Sequence, residues 1–316
     1  MASLNRREFT KKAALGIGGI PLLSIPKDIF NTQDNNNSLS VHLFSKHLQF
    51  LNYGQAGEKA AELGFQGLDL TVRPNGHVLP ESVIQDLPKA IEAIKKGGST
   101  CTMISTAIGD ANNKTDINVL KTAAEQGIKY YRANWFQYSE DKSMEADLEY
   151  YQQKIKELSL LNEDLDIIGC YQNHAGLSIG ASIWEVKTLL ESAQTNYFGA
   201  QYDIRHAMVE GGLSWENGLK LIKPSIKSIV LKDYKWGQVN GVWKPINMPI
   251  GKGMVDFKKY FSLLKAYKIN VPVSLHLEYD LGGAEKGYKT ISVDKNLVYS
   301  AMRKDLEMVR QLWAEA

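Results

Sequence analysis

Gln55-Ala56-Gly57-Glu58-Lys59-Ala60-Ala61-Glu62-Leu63-Gly64-Phe65-Gln66-Gly67-Leu68-Asp69-Leu70-Thr71-Val72 reads as a helix, a stop and a strand. Apolar and small residues recur at helical spacing up to Leu63, and Gly64 can take the left-handed conformation that ends a helix. Gly67 to Val72 is then a short apolar strand. The same unit recurs outward in both directions. Strand candidates lie at Ser40 to Leu43, Gly67 to Val72, Thr100 to Ser105, Tyr130 to Asn134, Ile167 to Gln172, Phe198 to Tyr202, Ile226 to Leu231 and Val273 to Leu277. Amphipathic helical segments fall between them, for example Ile117 to Gln126, Leu148 to Leu160 and Ala181 to Ala193. Strands alternating with helices describe a parallel sheet, and eight of them predict an α/β fold closed as a single (β/α)8 TIM barrel over residues 40–316. An open nucleotide-binding sheet would need a phosphate loop after its first strand. The dense glycines Gly16-Ile17-Gly18-Gly19 precede every strand and cannot serve as one.

The 316 residues carry a formal charge of +2, and 44% are hydrophobic against 23% charged, enough apolar content for a full core. Basic residues are scattered and not interleaved with aromatic ones, which argues against a nucleic-acid partner. Cys101 and Cys170 sit in apolar runs without CxxC spacing, so neither a disulfide framework nor a thiolate metal site is expected. Near the start, Asn5-Arg6-Arg7-Glu8-Phe9 leads into the Gly-containing apolar run Ala13 to Ile25, the pattern of a twin-arginine export signal over 1–30. That run is too short to span a bilayer, so the mature chain is expected to have no membrane span. Residues 31–39 are polar and read as a short disordered linker. The expected location is the periplasm, free or tethered through an uncleaved signal, and a homo-oligomer is compatible with the composition.

In a TIM barrel the chemistry sits at the carboxyl ends of the strands. Polar residues collect there: His47 after the first strand, Arg73 and His77 after the second, and Arg132 in the fourth. The last four strands end in Gln172-Asn173-His174, Asp203-Ile204-Arg205-His206, Lys232-Asp233 and His276-Leu277-Glu278. Taken singly, each has a plain explanation. A histidine after a strand is usually a loop residue, Asp203 could cap a helix, Lys232-Asp233 could be an exposed ion pair, and Trp135 could be packing. Four successive strands ending this way are harder to explain as capping. Asp203 and Glu278 are hard anionic donors, and His174, His206 and His276 can add neutral imidazole nitrogen, a mix that suits Mn²⁺, Mg²⁺, Co²⁺ or Zn²⁺.

The order Asn-His, Asp-x-x-His, Leu-Lys-Asp and Glu on strands five to eight resembles the sugar phosphate isomerase/epimerase superfamily with its xylose-isomerase-like barrel. The resemblance covers the chain from about Ser40 onward. It implies a divalent-metal site in which Asp203 and Glu278 match the strand-six and strand-eight ligands, with His206 as a substrate-contacting histidine. It also implies proton removal α to the carbonyl of a small carbohydrate. Two positions depart: Gln172 stands where the family has a strand-five Glu, and Val230 where it has a strand-seven His. Gln172 can still ligate through its carbonyl oxygen but supplies neither charge nor a base. The metal site is therefore weakened unless His174 or His276 completes it, and a symmetric two-carboxylate epimerisation is disfavoured. Glu278, His174, His206 and Lys232 are the expected catalytic groups, with Arg73, His77, Arg132 and His47 holding substrate. Export favours a non-phosphorylated sugar. The rival readings are a β-eliminating lyase or hydratase on 3-keto-glycosides and a non-catalytic carbohydrate-binding barrel.

Overall fold

The computed structural model describes residues 39–316. The export signal and all but the last residue of the linker lie outside the described residues. Eight parallel strands form the closed barrel: β1 (Val41–Phe44), β2 (Gly67–Val72), β3 (Met103–Thr106), β4 (Tyr130–Arg132), β5 (Ile168–Gln172), β6 (Phe198–Asp203), β7 (Ile226–Leu231) and, after an inserted hairpin, β10 (Val273–Leu275). Neighbours follow chain order, and the ring closes where Val41 of β1 pairs with Val273 of β10.

The quoted stretch folds as read. Helix α1 (Tyr53–Leu63) starts at a capping box between Asn52 and Gln55 and ends at Gly64, whose φ is 87°. Its Gly57 is required by packing, because a Cβ there would lie 2.7 Å from the Ile94 carbonyl oxygen of α2 (Val83–Lys96). Gly57→Ala is therefore expected to destabilise the fold by about 1–3 kcal/mol, the usual cost of overpacking, despite alanine's better helix propensity. Thermal unfolding checks this.

The outer helices continue as α3 (Lys114–Glu125), α4 (Met144–Leu165), α5 (Ile183–Leu189), α6 (Ile204–Gly211), α7 (Trp215–Ile222), α8 (Phe257–Ala266) and α9 (Lys295–Ala314). None of the described helices is long and apolar enough to cross a membrane. The apolar core lies between helices and strands, with Leu43, Leu68, Leu70, Tyr171 and Tyr202 at most 1% exposed.

The barrel lumen, by contrast, is polar. Asp69 of β2 accepts hydrogen bonds from Ser105 Oγ of β3 at 3.1 Å and Ser274 Oγ of β10 at 2.6 Å. Strands β2 and β10 are not neighbours, so the second bond crosses the interior. Gln201 of β6 likewise bonds Ser228 of β7.

The hairpin was not anticipated from sequence. Strands β8 (Asp233–Val239) and β9 (Val242–Met248) pair antiparallel around Asn240-Gly241, both with positive φ. Asn-Gly between strands is the strongest short hairpin signal, so it was legible in principle. Asp233 anchors the insertion by accepting from the backbone N–H groups of Tyr234, Gly253 and Val255. With Asp233 1% and Lys232 3% exposed, Lys232-Asp233 is not an exposed ion pair.

Asp305 of α9 is 3% exposed and accepts from Tyr279 Oη and from the N–H of Ile250, two residues past the hairpin. Burial pushes its carboxyl up to about 7. The folded state thus holds a proton that the unfolded chain gives up, and stability declines as pH rises from the ordinary aspartate range toward 7. Asp305→Asn should remove that decline, making the variant more stable than wild type above pH 7 by on the order of 2 kcal/mol. Urea denaturation at pH 5 and pH 8 measures it.

Candidate active site

The carboxyl ends of β5, β6, β7 and β10 converge on one cluster. Asp203 ends β6 and caps α6, its Oδ1 accepting the His206 N–H at 3.2 Å. Its Oδ2 accepts from Gln172 Nε2 at 2.8 Å and lies 3.0 Å from Lys232 Nζ. Lys232 follows β7 directly, and its Nζ also lies 2.9 Å from His206 Nε2 and 3.5 Å from Glu278 Oε2. Glu278 is met on its other oxygen by Lys46 Nζ at 3.2 Å. Two carboxylates therefore face two ammonium groups.

Glu278 keeps 24% side-chain exposure while Asp203 has none, so Glu278 is the carboxylate that a ligand can reach. Burial alone would raise the Glu278 carboxyl, but Lys232, with Lys46 on the other oxygen, holds it well below the usual carboxylate range. It is a carboxylate at neutral pH and a weak base. A cavity of about 480 Å³ opens beside it, lined by Lys46, Asn247, Glu278, Asp280, Glu285 and Lys286.

His206 is 3% exposed and ringed by N–H donors: Lys232 at Nε2, and Arg205 at 3.0 Å with the Ala175 N–H at 3.1 Å, both at Nδ1. A neutral imidazole offers one acceptor nitrogen, so donors are in surplus here. Burial, Lys232, His174 and Arg205 hold its pKa well below the ordinary value, and the ring stays uncharged. An incoming oxygen with lone pairs would satisfy that surplus.

His174 packs on His206 with ring centroids 4.1 Å apart and on Trp135 at 4.7 Å. Its Nδ1–H donates to the Ala175 carbonyl at 3.1 Å, which leaves Nε2 as the lone-pair nitrogen. Burial and Lys232 lower its pKa, and it is half-buried where His206 is closed off. His174 is thus a neutral, reachable base.

His276 is 5% exposed and stacks on Phe44 at 4.0 Å. The Ser274 hydroxyl donates to Asp69, so His276 Nε2–H donates to Ser274 Oγ at 3.0 Å. Its Nδ1 has no hydrogen-bond partner and lies 3.8 Å from Glu278 Oε1, beyond hydrogen-bonding range. Burial pushes this imidazole down to about 3. A donor such as a hydroxyl placed between Nδ1 and Oε1 would satisfy both.

The expected substrate residues divide. Arg73 is half-buried over the Phe44 ring at 5.5 Å, and its side chain makes no hydrogen bond within the described residues, so its guanidinium donors remain available. Arg132 is 3% exposed, donates to the Ala133 and Thr106 carbonyls and lies 4.2 Å from the Trp135 ring, which makes Trp135 a wall of the site. Burial brings the Arg132 guanidinium down to about 9. His47 has no exposure; it accepts the Leu277 N–H at 3.0 Å and donates to the Ala284 carbonyl, so it braces the loop after β10 and does not face the opening. His77 bonds Ser45 and the Leu48 carbonyl and borders a separate cavity with Tyr53 and Lys289, away from the Asp203 cluster.

Sequence reading missed Lys46, Arg205 and Asn247. Asn247 sits on β9, accepts from Arg205 at 3.1 Å and donates to the Glu278 carbonyl at 3.2 Å, so the hairpin tightens the rim of the site. A strand end followed by Lys46 carried a signal; Asn247 carried none before the hairpin was known.

The expected donors do not fit a divalent ion. Among the described residues no group of three or more His, Cys, Asp or Glu side chains is placed to hold one. Three N–H donors already reach Asp203, three more surround His206, and Gln172 turns its amide nitrogen toward Asp203. Flipping that amide would set its oxygen 2.8 Å from a carboxylate oxygen, which is repulsive. Val230, in register with Asp203, cannot ligate. As arranged here, Asp203, Glu278, Gln172 and His276 do not form a ready set of metal donors.

A parallel eight-stranded barrel with acid, base and cation gathered at its carboxyl end defines an enzyme-like α/β barrel. Residues 58–292 match the family model described as the xylose isomerase-like TIM barrel, and the chain belongs to that family. No curated protein matches the sequence significantly. Among solved structures, the 3-keto-D-glucoside 4-epimerase of E. coli superposes with a TM-score of 0.65 at 14% identity, covering 87% of this chain and 100% of that one. The D-psicose 3-epimerase of Clostridium cellulolyticum gives 0.64 at 12% identity over 87% and 99%. A xylose isomerase-like barrel protein of Mycobacterium smegmatis, in complex with magnesium, gives 0.60 at 10% identity over 86% and 99%.

Proposed function

We propose that the protein is a carbohydrate-active enzyme of the sugar isomerase/epimerase type, removing a proton α to the carbonyl of a non-phosphorylated sugar. The observation that carries this reading is the surplus of donors around Lys232 and His206, next to a neutral imidazole with a free lone pair, His174. The substrate carbonyl oxygen takes the place among the donors. His174 Nε2 removes the α-proton, the C–H electrons move into the carbonyl, and the resulting oxyanion rests against Lys232. For isomerisation the neighbouring hydroxyl passes its proton to that oxyanion and its own oxygen becomes the new carbonyl, while the protonated His174 delivers its proton to the former carbonyl carbon. Return to the original carbon regenerates the substrate and gives exchange only. Glu278 and His276 Nδ1 receive substrate hydroxyls, and Arg73 supplies further donors.

Gln172 stands where a second base would be, so transfer within one face, as in aldose–ketose isomerisation, fits better than two-base epimerisation. The sugar epimerases among the structural neighbours support the substrate class. The proposed export signal adds to it, because phosphorylated sugars are mainly cytoplasmic; we place the protein outside the cytoplasm.

Purified protein should convert a panel of free keto- and aldo-sugars and 3-keto-glycosides, with turnover lost in Asp203→Asn and reduced in Glu278→Gln. Turnover unchanged by both substitutions would show that the reaction lies elsewhere. Release of the aglycone from a 3-keto-glycoside would move the assignment to elimination.

A further inference from the structure

We infer that the ammonium group of Lys232 stands in for the divalent ion of related barrels, so that this chain carries its active-site cation covalently. Three independent observations converge. The ammonium lies 3.0 Å from Asp203 Oδ2, 3.5 Å from Glu278 Oε2 and 2.9 Å from His206 Nε2, a position between the two acidic strand ends where a shared cation belongs. Against the ligand pattern that the resemblance implies, one charge and one nitrogen are absent together, since Gln172 is neutral and Val230 is apolar. The remaining charge is already balanced: Asp203 and Glu278 are matched by Lys232 and Lys46, with Lys46 Nζ 3.2 Å from Glu278. A divalent ion added to that cluster would meet two ammonium groups at close range, and repulsion in a buried site is several-fold stronger than in water.

The three positions are linked in the fold. Asp203 on β6 is in register with Val230 on β7, and Lys232 lies two residues further on the same strand path, so both side chains leave on one face. The lysine's long stem lets its charge reach the level of Asp203, where a histidine at 230 would otherwise meet the ion. An ammonium is a compact point charge with three donors, and it can hold an enolate oxygen as an ion does, without open coordination positions.

The test uses the full chain and Mn²⁺ as probe, following the paramagnetic signal of free Mn²⁺. Wild type should show no saturable binding tighter than about 1 mM, while the triple variant Gln172→Glu, Val230→His, Lys232→Ala should bind one Mn²⁺ per chain at least about 100-fold more tightly. Stoichiometric metal in purified wild type, micromolar Mn²⁺ binding by wild type, or a folded triple variant that does not bind would each overturn the inference. Should circular dichroism show the triple variant unfolded, Lys232→Gln replaces it, with the expectation that its Mn²⁺ affinity exceeds wild type; an unchanged affinity overturns the inference. The inference deepens the proposed reaction but fails separately from it. Absent turnover with these titrations would remove the reaction and leave the cation assignment, whereas turnover that requires Mn²⁺ would do the reverse.

Discussion

Lys232→Met is expected to lower folding stability by about 3–5 kcal/mol, the range found when one partner of a buried ion pair is removed. Asp203 has no exposure and Lys232 only 4%, so the carboxylate left behind cannot regain water without opening the cluster. The loss should depend on pH in a particular direction. Glu278 is held well below the ordinary carboxylate range despite its burial, and Lys232 is the foremost charge holding it there. Its contribution is present above the unfolded carboxylate range and is lost as pH falls through the depressed folded value. Removing Lys232 removes that dependence, so the gap between wild type and variant should be full at pH 7 and narrower at pH 3, below the ordinary glutamate value of 4.5. The same substitution should reduce kcat by about 10²–10³, as for other groups that hold a developing oxyanion. Urea denaturation at the two pH values and steady-state kinetics measure both; a variant as stable as wild type would show that the charges are satisfied by other means.

His174→Gln should reduce kcat by about 10²–10⁴ with a smaller change in KM, because the imidazole moves the proton while Glu278 and Arg73 hold the sugar. Burial and Lys232 lower the His174 pKa, so the neutral base persists below the ordinary histidine value. The acid limb of the wild-type pH–rate profile should therefore fall below pH 6.5, the ordinary value for histidine. In Lys232→Met one of its causes is gone, and the residual activity should show that limb shifted upward. A limb that does not move between the two proteins would assign it to another group.

Much of the barrel was legible because its signals are local. The helix stop at Gly64 and the apolar runs of β2, β6 and β7 are short-range features, and the structure places all three runs in the closed ring. The site was legible where chemistry coincides with a strand end: Asp203, His206, Lys232 and Glu278 do come together. Sequence could not show direction or prior commitment. His47 and His174 both follow a strand, yet one braces main chain on both nitrogens and the other leaves Nε2 unused. Donor count was equally hidden, because Asp203 looks like a metal ligand until Gln172, Lys232 and the His206 N–H are seen to use its oxygens. Lys46 reaches Glu278 from the opposite end of the chain, a pairing set only by ring closure.

The central claim is proton exchange next to a sugar carbonyl at a site centred on Lys232. The most direct measurement is mass spectrometry of a 3-keto-glucoside incubated in deuterated water with EDTA-treated full-length protein. The account predicts one deuterium gained at a carbon adjacent to the carbonyl with wild type, and strongly slowed exchange with Lys232→Met and with His174→Gln. Exchange that proceeds equally in both variants, or that appears only when a divalent metal is added back, would contradict it.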